Sequence, residues 1–215
     1  MLRDVIFNNE ISAYHDWNIV LTKVEIPPPT PKTMSVEIAG ADGEIDLSEV
    51  LTKDIKYSSR TIKLTFEVLN DIQYYSITSE IGKYLHGKKV TAKLSNDDDY
   101  YYTGRAFIYS WECIQRKGII VITIIADPYK YEVTERIINL SLDNETKEIV
   151  LINGRKHICP TLDVTGSVNL VWQGETYKLS EGKQQIINFI LTEGNNLVKF
   201  KGKGKVKITY RRGEL

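Results

Sequence analysis

Apolar and polar residues alternate along most of this chain, the pattern of β-strands that turn one face to a core. The alternation is clearest in Arg60–Leu69, where every second side chain from Ile62 to Val68 is apolar. The run Ile119–Ala126 is apolar on both faces, so we expect a central strand that is covered on both sides. The pattern predicts further strands in the N-terminal part at Val5–Phe7, Ile19–Ile26, Met34–Gly40, Val90–Leu94 and Tyr100–Glu112.

One segment has a helical period instead. Its apolar residues recur three or four positions apart, a capping residue precedes them, and a glycine suited to a left-handed stop follows them. We therefore expect a helix over about residues 71–86 that covers one face or the open end of a sheet. The cap is Asn70 or Asp71, the apolar positions are Tyr74, Ile77, Ile81 and Tyr84, and the stop follows His86 at Gly87.

The character of the chain changes after the segment ADPYKYE, which ends at Glu132. From there on the sequence has short apolar runs separated by Gly, Asn or Asp, which is typical of an antiparallel β-sandwich. We predict an N-terminal β domain with one helix over residues 1–133 and a C-terminal β-sandwich over residues 134–215. Its eight expected strands are Ile137–Leu142, Lys147–Ile152, Thr161–Val164, Val168–Trp172, Glu175–Leu179, Gln184–Leu191, Asn196–Phe200 and Val206–Tyr210.

Four prolines in five residues form the segment PPPTP, at Pro27, Pro28, Pro29 and Pro31. Proline fixes φ and removes a hydrogen-bond donor, so this segment is expected to be an extended, semi-rigid strap on the surface. We favour a surface loop, and the alternative is a polyproline ligand for a partner. In either case the strap is a candidate interface.

Three consecutive tyrosines, Tyr100, Tyr101 and Tyr102, fall within a predicted strand. Successive strand residues point to opposite faces, so at least one ring lies on each face of the sheet. We expect some of these rings to pack on another domain or to lie on a recognition surface, and the three are candidate interface residues.

Composition excludes several classes of partner. The 215 residues include 28 Lys or Arg and 28 Asp or Glu, so the chain has no net charge to hold nucleic acid or an anionic membrane. The sequence has no apolar segment of signal-peptide or membrane-spanning length, and we expect synthesis in the cytoplasm. Thirteen tyrosines favour β-sheet, in agreement with the alternation.

Several segments contain residue types that are found in metal or catalytic sites, and for each of them we favour a structural role. The histidines at 15, 86 and 157 lack metal-ligand spacing, and Cys113 and Cys159 are expected to be buried small hydrophobes rather than ligands. The segment Asn96–Asp99 is interpreted as a charged turn rather than a calcium loop. We therefore expect no enzyme activity, no metal and no cofactor.

A second group of motifs lies near the C-terminus. Residues 202–205, Gly-Lys-Gly-Lys, lack the spacing of a phosphate-binding loop and are interpreted as a hairpin turn. Alternate lysines from Lys199 to Lys207 are expected to form a solvated strand face, with an interface to an acidic neighbour as the alternative.

Several segments, taken in order, resemble the distal tail protein (Dit) family of siphophages and related prophages. The similar segments are TKVEIPPP, ADGEIDLSE, YSSRTIKLTFEV, IGKYLHGKK, YYYTGRAFIYSWE, ADPYKYE and GNNLVKFKGKGKVKITYRRGEL. They extend over nearly the whole chain, and they consist of turn glycines, strand faces and a helix stop, with no catalytic motif.

The resemblance implies a structural distal tail, or baseplate hub, protein in the virion tail. It implies a hexameric ring of N-terminal domains that connects the tail tube protein to the tail-associated tip protein and to receptor-binding components. It also implies that the C-terminal sandwich is galectin-like. Longer relatives carry an inserted arm or carbohydrate-binding module, and this chain is expected to have no room for either. The alternative function is a carbohydrate-binding module of a phage adsorption apparatus, in which Trp172 and Tyr177 would face a sugar ring. We favour the interpretation of Trp172 as a core residue.

Overall fold

The computed structural model describes residues 4–40, 42–69, 73–114 and 117–215. The chain divides into two compact units, Met1–Lys130 and Tyr131–Leu215. In both units the strands pair antiparallel, and the described ranges contain one α-helix. The predicted class, all-β with one helix, is therefore confirmed. No described helix has the length and apolar character that a membrane crossing requires.

The first unit is built on seven strands that follow the order β2-β1-β7-β8-β9-β6-β3 across one sheet. Strands β4 and β5 form a separate two-stranded sheet. The elements of this unit are β1 (Val5–Phe7), β2 (Ile11–Ser12), β3 (Ile19–Glu25), β4 (Ser35–Glu37), β5 (Glu44–Asp46), β6 (Arg60–Val68), α1 (Tyr74–Leu85), β7 (Lys89–Leu94), β8 (Tyr100–Ile114) and β9 (Lys117–Ala126).

Strand β9 lies between β8 and β6, as the apolar run predicted. Its even-numbered side chains from Ile120 to Ala126 are buried, whereas its odd-numbered ones are only half-buried and Ile125 is exposed. The expectation that both faces are covered was wrong, because helix α1 and the rest of the core bury only one face of the sheet completely.

Helix α1 packs on that buried face through the apolar stripe that the sequence indicated. Three of the four predicted positions, Tyr74, Ile77 and Ile81, are buried in the same core as the even-numbered residues of β6. The fourth, Tyr84, is half-buried, and Leu85 beside it is buried instead. The helix ends before Gly87, whose φ of 76° is the left-handed conformation expected of a stop. The predicted caps, Asn70 and Asp71, lie outside the described residues.

The second unit contains five strands in one sheet, with β11, β15, β12 and β13 in order and β14 beside β12. The short strands β10 and β16 pair with each other. The bounds of these seven strands are β10 (Lys130–Glu132), β11 (Arg136–Asn153), β12 (Thr161–Trp172), β13 (Glu175–Lys178), β14 (Gly182–Gln184), β15 (Gly194–Tyr210) and β16 (Gly213–Glu214).

Three of these strands are much longer than predicted, because each joins two segments that the sequence separated. The glycines that suggested turns lie inside the strands: Gly166 in β12 pairs with Gly204 in β15, and Gly202 lies two residues away. A Cβ at Gly204 would lie 2.1 Å from the Thr165 carbonyl oxygen, so side chains are excluded where the two strands approach. The hairpin predicted at 202–205 was therefore wrong.

We refer to Gly166, Gly202, Gly204 and a β-bulge of β11 between Asp143 and Glu145 as the glycine line. On both sides of the glycine line, the side chains on one face of the strands are buried in the same core. Leu162 and Leu170 of β12, which lie on either side of the line, are an example. A flat sheet could not enclose its own core in this way, so the sheet bends at the glycine line. The two layers of this unit are thus halves of the same strands.

Candidate assembly surface

A long exposed arm projects from the first unit between β3 and β6. Its stem is formed by the bridge between Pro31 and Tyr57 and by two backbone hydrogen bonds, from Lys32 N–H to the Lys56 carbonyl (2.7 Å) and from Ser58 N–H to the Thr30 carbonyl (2.8 Å). Beyond the stem the β4–β5 hairpin is exposed on both faces.

The arm carries six large apolar side chains that are 40–93% exposed to solvent. A two-stranded hairpin is at best marginally stable alone in water, and clustered exposed apolar groups mark interaction surfaces. The arm therefore has the character of a segment that is completed by contact with another molecule. The six residues are Met34, Val36, Ile38, Ile45, Val50 and Leu51.

The predicted strap lies at the base of the arm. Pro27, Pro28 and Pro31 are exposed, whereas Pro29 is buried. The strap thus anchors itself by one proline and leaves the other three at the surface.

The three consecutive tyrosines are in different environments. Tyr102 is 7% exposed, belongs to the core and has the Arg60 guanidinium 5.0 Å from its ring centre. Burial raises the pKa of Tyr102 and lowers that of Arg60. Tyr100 and Tyr101 are half-buried, and the Lys130 ammonium lies 4.2 Å from the Tyr100 ring centre. We keep only Tyr100 and Tyr101 as interface candidates, since the Tyr102 ring cannot be reached from outside.

A groove of about 620 Å³ opens between the C-terminal half of α1 and strand β8. We call it the Trp111 groove, because the indole of Trp111 forms one wall and remains 53% exposed. A β-bulge between Ile108 and Ser110 turns Tyr109 outward, where it is 71% exposed. The lining residues are Gly82, His86, Ile108, Tyr109, Ser110, Trp111 and Glu112.

The sequence pattern did not predict this groove, although YSWE lies within the predicted strand Tyr100–Glu112. Two aromatic residues two positions apart in a regular strand would point to the same face. The bulge removes that relation, because the Lys63 ammonium lies 5.4 Å from the Tyr109 ring centre, on the sheet face away from α1, whereas Trp111 pairs with Ile120 of the buried face. The bulge and the facing helix become visible only in the three-dimensional structure.

His86, one of the three histidines considered as metal ligands, has a structural role. His86 Nδ1 accepts a hydrogen bond from Ile108 N–H (3.1 Å) and so joins α1 to β8. Across the described ranges no cluster of three or more His, Cys, Asp or Glu is arranged to hold a metal ion.

The cysteines differ from expectation. Cys113 is exposed, so its interpretation as a buried hydrophobe was wrong. Cys159 is half-buried with its Sγ 3.2 Å from the Ile186 carbonyl oxygen, and burial raises the pKa of its thiol.

The second unit offers no exposed aromatic platform at the position proposed for a sugar. Trp172 is 6% exposed and packs edge-to-face on Phe189, with ring centres 5.2 Å apart. Tyr177 is half-buried, and its hydroxyl donates a hydrogen bond to the Glu175 carboxylate. The indole of Trp172 is therefore part of the core.

Alternate lysines of β15 lie on the outer face of the folded sheet, as predicted. Acidic residues of β11 face two of them: Lys199 lies 2.5 Å from Glu148, and Lys203 lies 3.5 Å from Asp143. These exposed cross-strand pairs are worth little individually, and they fit a solvated face.

The whole chain can be compared with a known structure. It is similar to the crystal structure of the SPP1 Dit (gp 19.1) protein, described as a paradigm of the hub adsorption apparatus in phages that infect Gram-positive bacteria. The similarity covers 98% of this chain and 99% of that one, with a TM-score of 0.71 and 14% sequence identity.

The fold implied by the resemblance is confirmed. At this level of identity the similarity establishes the fold, and a role requires separate reasoning. No family model and no curated protein matches the chain.

Proposed function

We propose that this chain is a structural subunit of a phage or prophage tail and acts as a distal tail, or hub, protein. The observation that carries the proposal is the similarity to the SPP1 Dit protein over both units, with 98% and 99% of the two chains covered. A shared fold in one small domain would be weak support, because common folds serve many functions. Similarity over the full length of two units, with no large insertion in either chain, is much more specific.

The second part of the proposal is that copies of the chain associate into a ring of six. The number six comes from the family resemblance. The physical support is the arm, since six apolar side chains at 40–93% exposure are unfavourable in a protein that remains alone in water. A closed ring requires two different complementary patches on each subunit, and the arm would be one of them.

The third part concerns partners and chemistry. In this role the chain would contact a tail tube protein, a tail-associated tip protein and receptor-binding components, within a virion tail. We propose no catalysis and no cofactor. The burial of Trp172 removes one of the two aromatic residues on which the alternative, carbohydrate binding by the second unit, depended.

Native mass spectrometry over a concentration series tests the assembly. We expect a six-copy species at high concentration, and we expect Leu51→Asp to remove it, because that side chain is 93% exposed and the change leaves the fold intact. Ile187→Asp is the matched control, since Ile187 is 86% exposed in the second unit. Equal loss of the six-copy species in both variants would contradict a role for the arm. A six-copy species that Leu51→Asp leaves unchanged would contradict it as well.

A further inference from the structure

We infer that the outer face of the second unit binds a linear polyol phosphate polymer, whose phosphodiester groups pair with the alternate lysines of β15. We call this surface the lysine face; it consists of the outward-pointing residues of β11, β12, β13, β14 and β15. The inference goes beyond the proposed hub role and does not depend on it.

The zero net charge of the chain conceals an unequal distribution of charge. The second unit has 13 Lys or Arg and 10 Asp or Glu, whereas the first unit has 15 and 18. Residues directly opposite each other in neighbouring strands point to the same face, and the strand pairing places seven lysines but only three carboxylates on the lysine face. The lysines are the five alternate ones from Lys199 to Lys207, with Lys178 and Lys183; the carboxylates are Asp143, Glu148 and Asp163. Zero net charge on the whole chain therefore does not exclude an anionic ligand for this face.

Most of the β15 lysines are not neutralised within the chain. Two of the five form the ion pairs with β11 described above. Among the described residues the other three, Lys201, Lys205 and Lys207, form no ion pair, and all three are exposed. Like charges in one row repel each other, so an anionic ligand along the row is favoured electrostatically.

Hydroxyl and amide side chains surround the unpaired lysines. Lys205 lies between Ser141 of β11 and Thr165 of β12, and the positions on either side of Lys201 are likewise a threonine and an asparagine. Such side chains donate hydrogen bonds to phosphate oxygens and both donate to and accept from hydroxyl groups. The lysine face thus offers positive charge for phosphates and uncharged partners for the hydroxyls of a polyol.

The spacing of the lysines indicates a linear ligand. Alternate residues of a strand are about 7 Å apart, so the row from Lys199 to Lys207 extends over about 27 Å along β15. Pairing with β11 on one side and β12 on the other fixes this strand over most of the row. A fixed row of regularly spaced charges suits a polymer with one negative charge in each repeat better than a single phosphate ion.

The same face is unsuited to nucleic acid. Proteins that bind single strands stack the bases on aromatic side chains. The five strands of the lysine face, all of them within the described residues, place their aromatic residues on the opposite face of the sheet. These residues are Trp172, Tyr177, Phe200 and Tyr210. The ligand is therefore a phosphodiester polymer without bases.

Binding can be measured on the full chain by fluorescence anisotropy with labelled poly(glycerol phosphate) at low salt. We expect half-saturation at about 0.1 mM or below. Combined Lys201→Gln, Lys205→Gln and Lys207→Gln substitutions should weaken binding at least about tenfold and reduce the slope of log affinity against log salt by about 2. Arginine at the same three positions keeps the charge and should preserve most of the affinity.

The matched control removes three exposed lysines from the first unit, by combined Lys83→Gln, Lys88→Gln and Lys89→Gln substitutions. It changes the net charge by the same amount and should weaken binding less than about twofold. All six lysines are exposed, so both triple variants should melt close to the wild type.

Three results would overturn the inference. The first is no binding of poly(glycerol phosphate) to the wild type at about 1 mM. The second is an equal loss of affinity in the two glutamine variants, which would show attraction to net charge alone. The third is binding of oligothymidylate or polyglutamate as tight as that of the polyol phosphate. Six-copy rings that fail to bind the polymer would leave the hub role standing and remove this site.

Discussion

At the scale of single residues, two buried charged side chains differ in what surrounds them. Arg60 is 6% exposed, and its Nε and Nη2 have no hydrogen-bond partner among the described residues. Glu132 is 8% exposed, but it accepts hydrogen bonds from Arg136 Nε (3.0 Å) and Nη2 (2.8 Å), and Arg212 Nη2 lies 2.8 Å away. A buried polar group without partners is costly, whereas a bidentate pair offsets its desolvation.

We predict that Arg60→Met raises the free energy of unfolding by about 1 kcal/mol. The change removes donors that are buried without partners, and this gain exceeds the loss of the cation–π contact with Tyr102. Urea denaturation measures the difference, with Lys89→Met on an exposed strand position as control. A loss of stability would show that the guanidinium is satisfied in the folded protein.

We predict that Glu132→Gln lowers the free energy of unfolding at pH 7 by about 2 kcal/mol. Hydrogen bonds from Arg136, followed by the charge of Arg212, hold the pKa of Glu132 below its usual range. Because the folded pKa is lowered, the contribution is present at neutral pH and is lost as the pH falls through that lowered value. Denaturation curves of variant and wild type should therefore converge in acid.

The control for this prediction is Glu135→Gln. The Glu135 carboxylate is half-exposed beside Arg211, and such pairs contribute little. A penalty for Glu132→Gln that stayed constant from neutral pH to well below the usual pKa of glutamate would contradict the assignment.

At the scale of elements, the glycine line determines the shape of the second unit. Gly204→Ala would place a Cβ 2.1 Å from the Thr165 carbonyl oxygen, at a φ of 155°. We predict a loss of about 2 kcal/mol or more, because backbone atoms cannot move aside as a flexible side chain can. Ser167→Ala, an exposed change on the facing strand, should stay within about 0.5 kcal/mol of the wild type. Equal stability of the two variants would show that β12 and β15 separate readily at this line.

The elements also show how far sequence patterns reach. Alternation located Arg60–Val68 within a residue, and the three- and four-residue period located α1, because each pattern reports burial on one face. Gly166 and Gly204 were misinterpreted as turns, because a glycine that permits close approach of strands has the same local signature as one that permits a turn. The Trp111 groove was missed for a related reason: its walls come from two elements that are distant in sequence.

At the scale of the whole molecule, we propose that residues 1–133 and 134–215 behave as separate domains. The structure contains two compact units that meet in sequence at Lys130 and Tyr131. Limited proteolysis should release a protected C-terminal fragment of roughly 80 residues, a size at which a folded core is feasible. Cuts spread through the last third of the chain, without a protected fragment, would contradict this division.

The assembled state is the central claim, and electron microscopy of the purified full chain at high concentration tests it most directly. We predict closed rings whose class averages show six equivalent subunits around an open centre. Exclusively single copies or two-fold dimers in the images, at every concentration that the grids allow, would contradict the proposal that this chain is a tail hub.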